Sequence, residues 1–387
     1  MCADFRFHPV GHGLFYSGVI NAPNVNDEPL AFVYDCGGRN AKGWFKDFWN
    51  SIKVKLSDGR LTLLVISHFH KDHICGVPSL ITEAKPKFVV MPYLSPAERV
   101  ACFAVLSKES DLDQKSIMEL GRLILAPEAY CEEHGCRLYL VDPDVQGEKL
   151  PESFGERSVG RIPNELSFPG EKQNQRNGAE VIGNGATGFL ADWRFLFFMP
   201  KKAANCEKIE KWLSSKMIGG QGDLCKSIDS GLFEEITKEF GDLELKNNGS
   251  NLVCVHGPIC DARNEHVCLF AGEGSPLLNW MCVRRRGRHA ARQMLTGDAE
   301  FNEVLNFSRW LSDGECNQIA LFQVPHHGST ANREDWFESQ LPNCVSWVVP
   351  HDFSTKDRKN IFKINGTSGG WVYYVKQGLD VRLVSAH

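Results

Sequence analysis

Three histidines and an aspartate are crowded into the segment 67–73, whose sequence is SHFHKDH. The apolar run LTLLVI before it predicts a buried strand. His68 and His70 alternate on an extended chain and so point the same way, whereas Asp72 and His73 lie beyond a bend. Imidazole nitrogens and carboxylate oxygens are ligands of divalent cations. The spacing therefore predicts two adjacent metal sites at the end of this strand.

Three later segments also place polar side chains directly after apolar runs. Gly297 permits a turn that delivers Asp298 in LTGDAEF, although Asp298 could instead cap the helix predicted to follow. His326 and His327 follow the strand predicted in QIALFQVPHHGS. His351 follows the strand predicted in SWVVPHDF, and we expect it either to bind substrate or to have no functional role. Neighbouring strands deliver their ends to one edge of a sheet, so these residues can meet at one centre.

The elements that must position these residues alternate between strands and helices. Three apolar runs in the first third, each bounded by Gly, Pro or Asn, predict consecutive strands. An amphipathic helix over 42–56 follows, and then a strand, the histidine cluster, a helix near 76–83 and another strand. This order predicts a layered α/β architecture in one domain of residues 1–387. Residues 95–245 are predicted to form a large helical and loop insertion or lid, which includes a loop over 142–188.

Composition narrows the class of protein. The chain has 387 residues, 42% of them hydrophobic, which is enough for a substantial core. A formal net charge of -5 argues against a globally basic protein that coats nucleic acid. The 14 cysteines include no C-x-x-C pair, and no signal peptide or long apolar span is evident. We therefore expect a soluble cytoplasmic protein without a membrane span.

Several segments together resemble a known family. HFHKDH fits the H-x-H-x-D-H signature of metallo-β-lactamase-fold hydrolases, and VYDCGG and LTGD resemble two further segments of that family. HPVGHG, NNGSNLV, LTGD and VPHHGS, in this order, are similar to the hydrolase domain of ComEC-type DNA-uptake proteins and their soluble relatives. The resemblance spans about Phe7 to His351. It implies a four-layered αββα fold, with two mixed sheets packed face to face and helices outside.

The resemblance also implies a site for two divalent ions, Zn or Mn, with these ligands: His68, His70, Asp72, His73, Asp298 and His327. His68 and His70 would hold one ion, Asp72, His73 and His327 the other, and Asp298 would bridge them. Catalytic roles for Asp72, His73 and Asp298 follow from the same resemblance. His326 would support a ligand or face a phosphate, and it could exchange roles with His327. Asp35 would orient a ligand histidine.

One segment departs from the family pattern. Most of the superfamily supplies a third histidine to the first ion, where this chain has KNNGSN. Asn247 or Asn248 would have to stand in, or the first site is short of a ligand. His256 and His266 are alternative candidates nearby in sequence.

Two adjacent ions suit phosphoryl esters, because they activate a water and stabilise charge on both the attacking and the leaving oxygen. Arg284, Arg285 and Arg286 in VRRRGRHAARQ could hold a polyanion near the metals or form a solvated turn. Together with the resemblance, this predicts a nuclease or phosphodiesterase that cleaves nucleic acid, with DNA favoured. Soluble relatives of this kind imply a role in bacterial antiviral defence beside a partner ATPase or sensor. The alternatives are a hydrolase of small esters, thioesters or lactones, and a catalytically silent binding protein of a multi-protein complex.

Overall fold

The structure is a computed structural model that describes residues 2–21, 29–108, 112–147, 165–169, 171, 174–190, 193–200, 206–216, 218, 224, 230–241, 251–258, 266–271, 281–282, 292–301, 310–328, 337–344, 346–350, 371–375 and 381–386. Its strands form two sheets. The first contains β1 (Cys2–Phe7), β2 (Phe15–Asn21), β3 (Leu30–Cys36), β4 (Leu63–Val65), β5 (Phe88–Pro92), β6 (Arg137–Gln146), β7 (Asn174–Arg176), β8 (Ala179–Asn184), β12 (His266–Ala271), β13 (Met281–Cys282) and β18 (Val381–Ala386). The second contains β9 (Ala186–Leu190), β10 (Trp193–Phe198), β11 (Val253–Pro258), β14 (Arg292–Leu295), β15 (Ile319–Gln323), β16 (Ser346–Pro350) and β17 (Trp371–Val375).

The α-helices of the described residues lie between these strands along the chain. They are α1 (Ala41–Ile52), α2 (Lys71–Ile74), α3 (Val77–Ala84), α4 (Pro96–Leu106), α5 (Gln114–Leu125), α6 (Pro127–Glu133), α7 (Glu207–Ser215), α8 (Ser230–Phe240), α9 (Asp313–Cys316) and α10 (Phe337–Gln340). Short 3-10 helices occupy Lys53–Lys55 and His326–Gly328. Within the described ranges, no helix has the length and apolar character that crossing a membrane requires.

Both sheets are mixed. The strand order of the first is β13-β12-β18-β1-β2-β3-β4-β5-β6-β8-β7, and that of the second is β17-β16-β15-β14-β11-β10-β9. The run from β3 to β6 and β8 is parallel, as is the run from β14 to β17. The β3 sequence, LAFVYDC, is buried along its whole length, as expected for a strand covered on both faces.

The buried side chains form three cores that separate four layers. Ala31 and Val33 of β3 belong to the core beneath α1 and α3. Phe32, on the opposite face of β3, packs against Phe195 of the second sheet with ring centroids 5.3 Å apart. Phe322 lies on the far face of the second sheet, in a core that includes Cys316 of α9. The predicted α/β class with two mixed sheets is confirmed, and the layers agree with an αββα arrangement.

The segment 95–245 contains both helices and strands. Arg99 on α4 and Glu128 on α6 form a buried ion pair with two contacts of 2.8 and 2.7 Å. The rings of Phe103 on α4 and Phe233 on α8 are tilted, with centroids 4.9 Å apart. Strands β6, β7 and β8 join the first sheet, and β9 and β10 join the second. Residues of this segment thus belong to both sheets, and its role as an insertion or lid stays a prediction.

The stretch 142–188 was expected to be a loop, but part of it forms strands. β7 and β8 are an antiparallel hairpin in which Arg176 faces Ala179. The two residues between them, Asn177 and Gly178, have φ values of 50° and 90°. An Asn-Gly pair with both φ angles positive is the preferred two-residue hairpin turn. The dipeptide is the sequence signal that the expectation of a loop overlooked.

Gly37 lies close to the backbone of α2. A Cβ added at Gly37 would lie 2.2 Å from the Asp72 carbonyl oxygen and 2.3 Å from the His73 Cα. At Gly43, within α1, an added Cβ would meet nothing within 4 Å. The first substitution forces backbone to move, and the second only improves helix propensity.

We predict that Gly37→Ala lowers the free energy of unfolding by about 1–3 kcal/mol. Gly43→Ala should raise it by roughly 1 kcal/mol, because alanine favours a helix interior over glycine. Urea denaturation of the wild type and both variants measures the two changes. Equal unfolding midpoints for the two variants would contradict the close approach of residue 37 to α2.

Candidate metal centre

The candidate metal centre lies at the carboxyl ends of parallel strands from both sheets. β3 and β4 are parallel neighbours in the first sheet, and β14, β15 and β16 are parallel neighbours in the second. The chain leaves β4 into 66–70, β14 into 296–298 and β15 into 324–328. These segments meet at one edge of the molecule, where His327 contacts Asp72, which is 255 positions earlier in sequence.

Asp35 is fully buried near the end of β3 and accepts three hydrogen bonds. The Ser67 N–H donates to Oδ1 at 2.7 Å, the Ser67 hydroxyl donates to Oδ2 at 2.6 Å, and His73 Nδ1 donates to Oδ2 at 2.8 Å. Burial raises the pKa of the Asp35 carboxyl, and the bonds from His73 and Ser67 oppose that shift. Asp35 therefore fixes the end of β3, the end of β4 and the His73 ring relative to one another.

His68 is oriented through the same serine. Ser67 Oγ donates its single proton to Asp35, so its 2.9 Å contact with His68 Nδ1 requires the proton on Nδ1. His73 likewise donates its Nδ1 proton to Asp35. Both rings are therefore left with Nε2 available to a proton or a cation. Hydrogen bonds of this kind fix the tautomer and ring orientation of metal-binding histidines.

The second sheet delivers Asp298 in a turn after β14. Oε1 of Gln323 accepts from the N–H groups of Thr296 at 2.8 Å and Gly297 at 2.9 Å, and its Nε2 donates to the Gly297 carbonyl at 3.0 Å. The backbone N–H of Asp298 donates to Asn251 Oδ1 at 3.2 Å. A fully bonded buried network of this kind holds a turn rigidly. The position of the Asp298 carboxylate is thus set by two buried amide side chains.

His326 and His327 follow β15 with φ values of 50° and 52°, which are unfavourable for residues other than glycine. His327 Nδ1 donates to the Pro350 carbonyl at 2.6 Å, and its Nε2 is 3.1 Å from Asp72 Oδ2. His326 Nδ1 is 3.8 Å from Asp298 Oδ2. The unusual backbone conformation therefore points both rings towards carboxylates.

Donor atoms from both sheets converge on the Asp298 carboxylate. Oδ1 is 3.4 Å from His73 Nε2 and 3.8 Å from His327 Nε2, whereas Oδ2 is 3.8 Å from His68 Nε2. In each of three groups, the possible ligand atoms lie within 4.8 Å of one another: His68, His70 and Asp298; His73, Asp298 and His327; and His12, Asp72 and His327. Asp298 belongs to the first two groups, as a bridging residue would.

The chemistry of this cluster fits a divalent ion. Among the described residues, His68 Nε2, His73 Nε2 and Asp298 Oδ1 are buried without a hydrogen-bond partner. Buried polar atoms with no partner are rare in proteins, so three in one cluster indicate a missing ligand. Imidazole and carboxylate donors without a thiolate suit Zn²⁺ or Mn²⁺. The cluster is a candidate site for divalent metal.

Charges in the cluster shift its pKa values. Burial opposes protonation of His73, yet the carboxylates of Asp298 and Asp72 hold its pKa well above the usual value. Burial also opposes ionisation of Asp298 and Asp72, and neighbouring imidazoles, chiefly His73, nevertheless lower the pKa of each carboxyl. The hydrogen bond with Asp72 raises the pKa of His327 against the effect of burial. Without a cation, protons on these imidazoles balance the carboxylate charge.

The structure brings the following predicted site residues into one cluster: Asp35, His68, His70, Asp72, His73, Asp298, His326 and His327. Asn247, Asn248, His351 and the run Arg284, Arg285 and Arg286 lie outside the described residues, so their predicted roles stay predictions.

His256, one of the alternative ligands, lies in the core between the sheets. Its Nδ1 accepts from Trp193 Nε1 at 3.1 Å, and its Nε2 lies 3.1 Å from the Tyr16 hydroxyl, which donates to Gln293 at 2.6 Å. Burial lowers the pKa of His256 to about 3, so the ring is neutral. Both of its nitrogens are satisfied within the core, and neither is left for a metal ion.

His12 also lies in the cluster, although no sequence pattern predicts a role for it. It lies in HPVGHG, a segment that was noted only for its resemblance. Its ring centroid is 4.3 Å from that of His327. The glycines on either side of it are the signal that could have singled it out, because they mark a loop held close to other backbone.

A cleft of about 1040 Å³ adjoins the cluster. Asp72, His12, His70, Asp298, His326 and His327 line one part of it. The rest is lined by cationic, aromatic and aliphatic side chains that include Arg39, Lys42, Lys71, Trp44, Phe69, Val105, Leu106 and Leu112. Asp47 is an acidic residue elsewhere on its wall. The cluster is thus accessible to a substrate of moderate size.

No protein-family model and no curated protein matches the chain. Among solved structures, it is similar to a long form of RNase Z from yeast, with 9% identity, a TM-score of 0.41, and coverage of 98% of this chain and 41% of that one. It is also similar to the metallo-β-lactamase MIM-1 from Novosphingobium pentaromativorans, with 9% identity, a TM-score of 0.30, and coverage of 88% and 82%. A third is MEM-A1, a subclass B3 metallo-β-lactamase isolated from a soil metagenome library, with 12% identity, a TM-score of 0.21, and coverage of 51% and 52%. The chain spans about two fifths of the RNase Z chain.

Because Asp35 holds two histidines in place, we predict that Asp35→Asn weakens binding of Zn²⁺ by roughly 10- to 100-fold. An amide cannot accept the bonds from the Ser67 N–H, the Ser67 hydroxyl and His73 Nδ1 equally well, so the rings lose their orientation. Competition with a chromogenic chelator measures the dissociation constants. Asp58→Asn is the control, since Asp58 is a partly exposed carboxylate paired with Lys87 at 2.8 Å. An affinity equal to that of the control would contradict this role of Asp35.

Protons on His73 and His327 must leave when a cation binds, so metal binding should release protons and strengthen as pH rises. The pKa values of both histidines are raised above 6.5. Both rings are therefore protonated below that value, and each proton is lost as pH passes its raised pKa. Affinity should increase through that window and level off above it. Calorimetry at pH 7 in two buffers of different ionisation enthalpy counts the protons, and a count of zero would refute the prediction.

Proposed function

We propose that this protein is a metal-dependent hydrolase that uses two divalent ions to cleave phosphodiester bonds in nucleic acid, with DNA favoured. The supporting observation is the convergence of the Nε2 atoms of His68, His73 and His327 on the Asp298 carboxylate, beside a cleft that carries cations. His68, His70 and Asp298 would hold one ion, and Asp72, His73, Asp298 and His327 the other. Bound ions would lower the pKa of an attacking water and stabilise charge on the phosphate oxygens.

The chain's own contribution is to hold these donors in place before substrate arrives. Asp35 and Ser67 fix the tautomers of His68 and His73, and the Pro350 carbonyl fixes that of His327. Buried hydrogen bonds at each of these positions limit reorientation of the rings. Preorganised polar groups of this kind contribute to catalysis because they need not reorient during the reaction.

The cations of the cleft favour a polyanionic substrate. Arg39 and Lys42 lie just before and in the first turn of α1, and Lys71 follows His70 directly. Cations beside a reacting centre raise the local concentration of phosphate esters and position them. Trp44, which is partly buried and lines the cleft, adds an aromatic side chain of the kind on which bases stack in sequence-tolerant single-strand binding.

The dimensions of the cleft bear on the form of the nucleic acid. Its volume of about 1040 Å³ is close to the upper end of small-ligand pockets, which range over roughly 300–1,000 Å³. A single strand, a strand end or an extruded nucleotide suits such a space better than an intact duplex. A role in antiviral defence beside a partner ATPase or sensor is proposed on the sequence motifs alone.

A second candidate function rests on the aliphatic wall formed by Val105, Leu106 and Leu112. Val105 and Leu106 lie at the end of α4, and Leu112 lies just before α5. They would suit the acyl or ring portion of a small ester, thioester or lactone. The same metal centre could hydrolyse such a bond, so substrate assays have to separate the two functions.

We predict that the protein cuts single-stranded DNA or RNA in the presence of Mn²⁺ or Zn²⁺ and that Asp298→Ala abolishes cutting. Lys42→Glu should lower kcat/KM on oligonucleotides about tenfold while leaving metal affinity unchanged, because one phosphate contact becomes repulsive. Lys46→Glu is the matched control, since Lys46 is an exposed lysine of the same helix that does not line the cleft. Rates are measured on end-labelled oligonucleotides over a range of salt concentrations.

The outcomes separate the two candidate functions. Cleavage of nucleic acid that weakens with salt and with Lys42→Glu supports the phosphodiesterase. Intact oligonucleotides across single- and double-stranded panels, together with turnover of a generic ester or lactone, would overturn the phosphodiesterase and favour the second candidate. Failure of both assays in protein that retains two metal equivalents would favour a silent binding protein.

A further inference from the structure

The loop that carries His12 is fixed against the backbone of Asp72. Gly11 and Gly13 have φ values of 81° and 140°. A Cβ at Gly13 would lie 2.5 Å from the Asp72 carbonyl oxygen, and the N–H of Leu14 donates to that same oxygen at 3.0 Å. The N–H of Gly37 donates in turn to the Leu14 carbonyl at 2.9 Å. The position of residue 12 relative to Asp72 is therefore set by short backbone contacts.

The His12 side chain faces the ligands of the second ion. Its Nε2 lies 3.5 Å from Asp72 Oδ2, and His327 Nε2 lies 3.1 Å from the same oxygen. The rings of His12 and His327 are 4.3 Å apart with planes inclined by 37°. His12, Asp72 and His327 are one of the three groups whose donor atoms lie within 4.8 Å of one another.

This group and the group of His73, Asp298 and His327 share one nitrogen atom. Nδ1 of His327 donates to the Pro350 carbonyl, so Nε2 is its only donor to a cation. An imidazole nitrogen has one lone pair, and it cannot serve two ions at once. The two groups therefore describe a single cation position with His12 on its outer side.

We propose that His12 is an additional protein ligand of the second ion, together with Asp72, His73, Asp298 and His327. The proposal rests on the metal centre of the proposed function and is independent of the substrate. The His12 side chain is 64% exposed and lines the cleft, whereas Asp298 and His327 are less than 10% exposed. His12 is thus the ligand that an incoming phosphate or carboxylate oxygen can displace without disturbing the buried ones.

Metal affinity without substrate tests this assignment. His12→Ala should weaken one of two Zn²⁺ dissociation constants about tenfold, measured by chelator competition, and leave the other unchanged. It should also alter the visible spectrum of the Co²⁺-substituted protein, because the ligand field of one ion changes. His134→Ala is the matched control. His134 lies just after α6, outside the cleft, and its Nδ1 contacts the Tyr130 carbonyl at 2.9 Å.

Thermal unfolding of the metal-free proteins checks that both variants fold. A His12→Ala protein with wild-type affinities and an unchanged Co²⁺ spectrum would overturn the proposal, as would equal losses in both variants. A selective loss in His12→Ala would support it even if no substrate is cleaved, so the two proposals can fail separately. Wild-type protein that binds no divalent metal would overturn both.

Discussion

The buried carboxylate of Asp35 is the constraint on which the rest of the site depends. A carboxylate taken out of water is costly unless donors surround it, and Asp35 has three within 2.8 Å. Two of these donors belong to Ser67 and one to His73, so the anion is stable only when β3, β4 and α2 have their final arrangement. The same hydrogen bonds decide which nitrogens of His68 and His73 remain available to a cation. The hydrogen bonds that join the ends of β3 and β4 therefore also orient the two histidines.

The position of Asp298 depends on hydrogen bonds that join the two sheets at the same edge. The N–H of Leu252, just before β11, donates to the Ser67 carbonyl at 2.8 Å, and the Leu252 carbonyl accepts from the Tyr34 hydroxyl at 2.8 Å. Asn251, the adjacent residue, holds the backbone of Asp298. Leu252 and Asn251 thus connect the turn that carries Asp298 to the segment that carries the histidines. Repacking the core between the sheets should disturb the metal centre even without any change to its ligands.

Much of the candidate site could be predicted from the sequence, because its histidines and aspartates lie next to apolar runs that form strands. The residues of HFHKDH, Asp298 and His327 all follow such runs, and the structure brings them together. His12 could not be predicted in this way, because its proximity to Asp72 depends on backbone contacts between distant segments. Arg292 shows the converse error. Arg292 is the last arginine of the basic run VRRRGRHAARQ, but it is buried 3.8 Å from Glu315, which also pairs with Arg194. Charge patterns show which residues can bind a polyanion, but only tertiary packing determines which are already paired.

Backbone strain connects the stability of the protein to its affinity for cations. Five non-glycine residues of the described ranges have positive φ: Asp35, Lys85, Asn177, His326 and His327. Lys85 ends α3 and Asn177 occupies a hairpin turn, where this conformation is common. The other three lie in the candidate metal centre, where each costs about 1–3 kcal/mol. Hydrogen bonds to Asp35 and from His327 offset part of this cost, and a cation between the carboxylates would offset more. The strain at these three residues therefore links the free energy of unfolding to the affinity for cations, because the same hydrogen bonds and backbone angles set both.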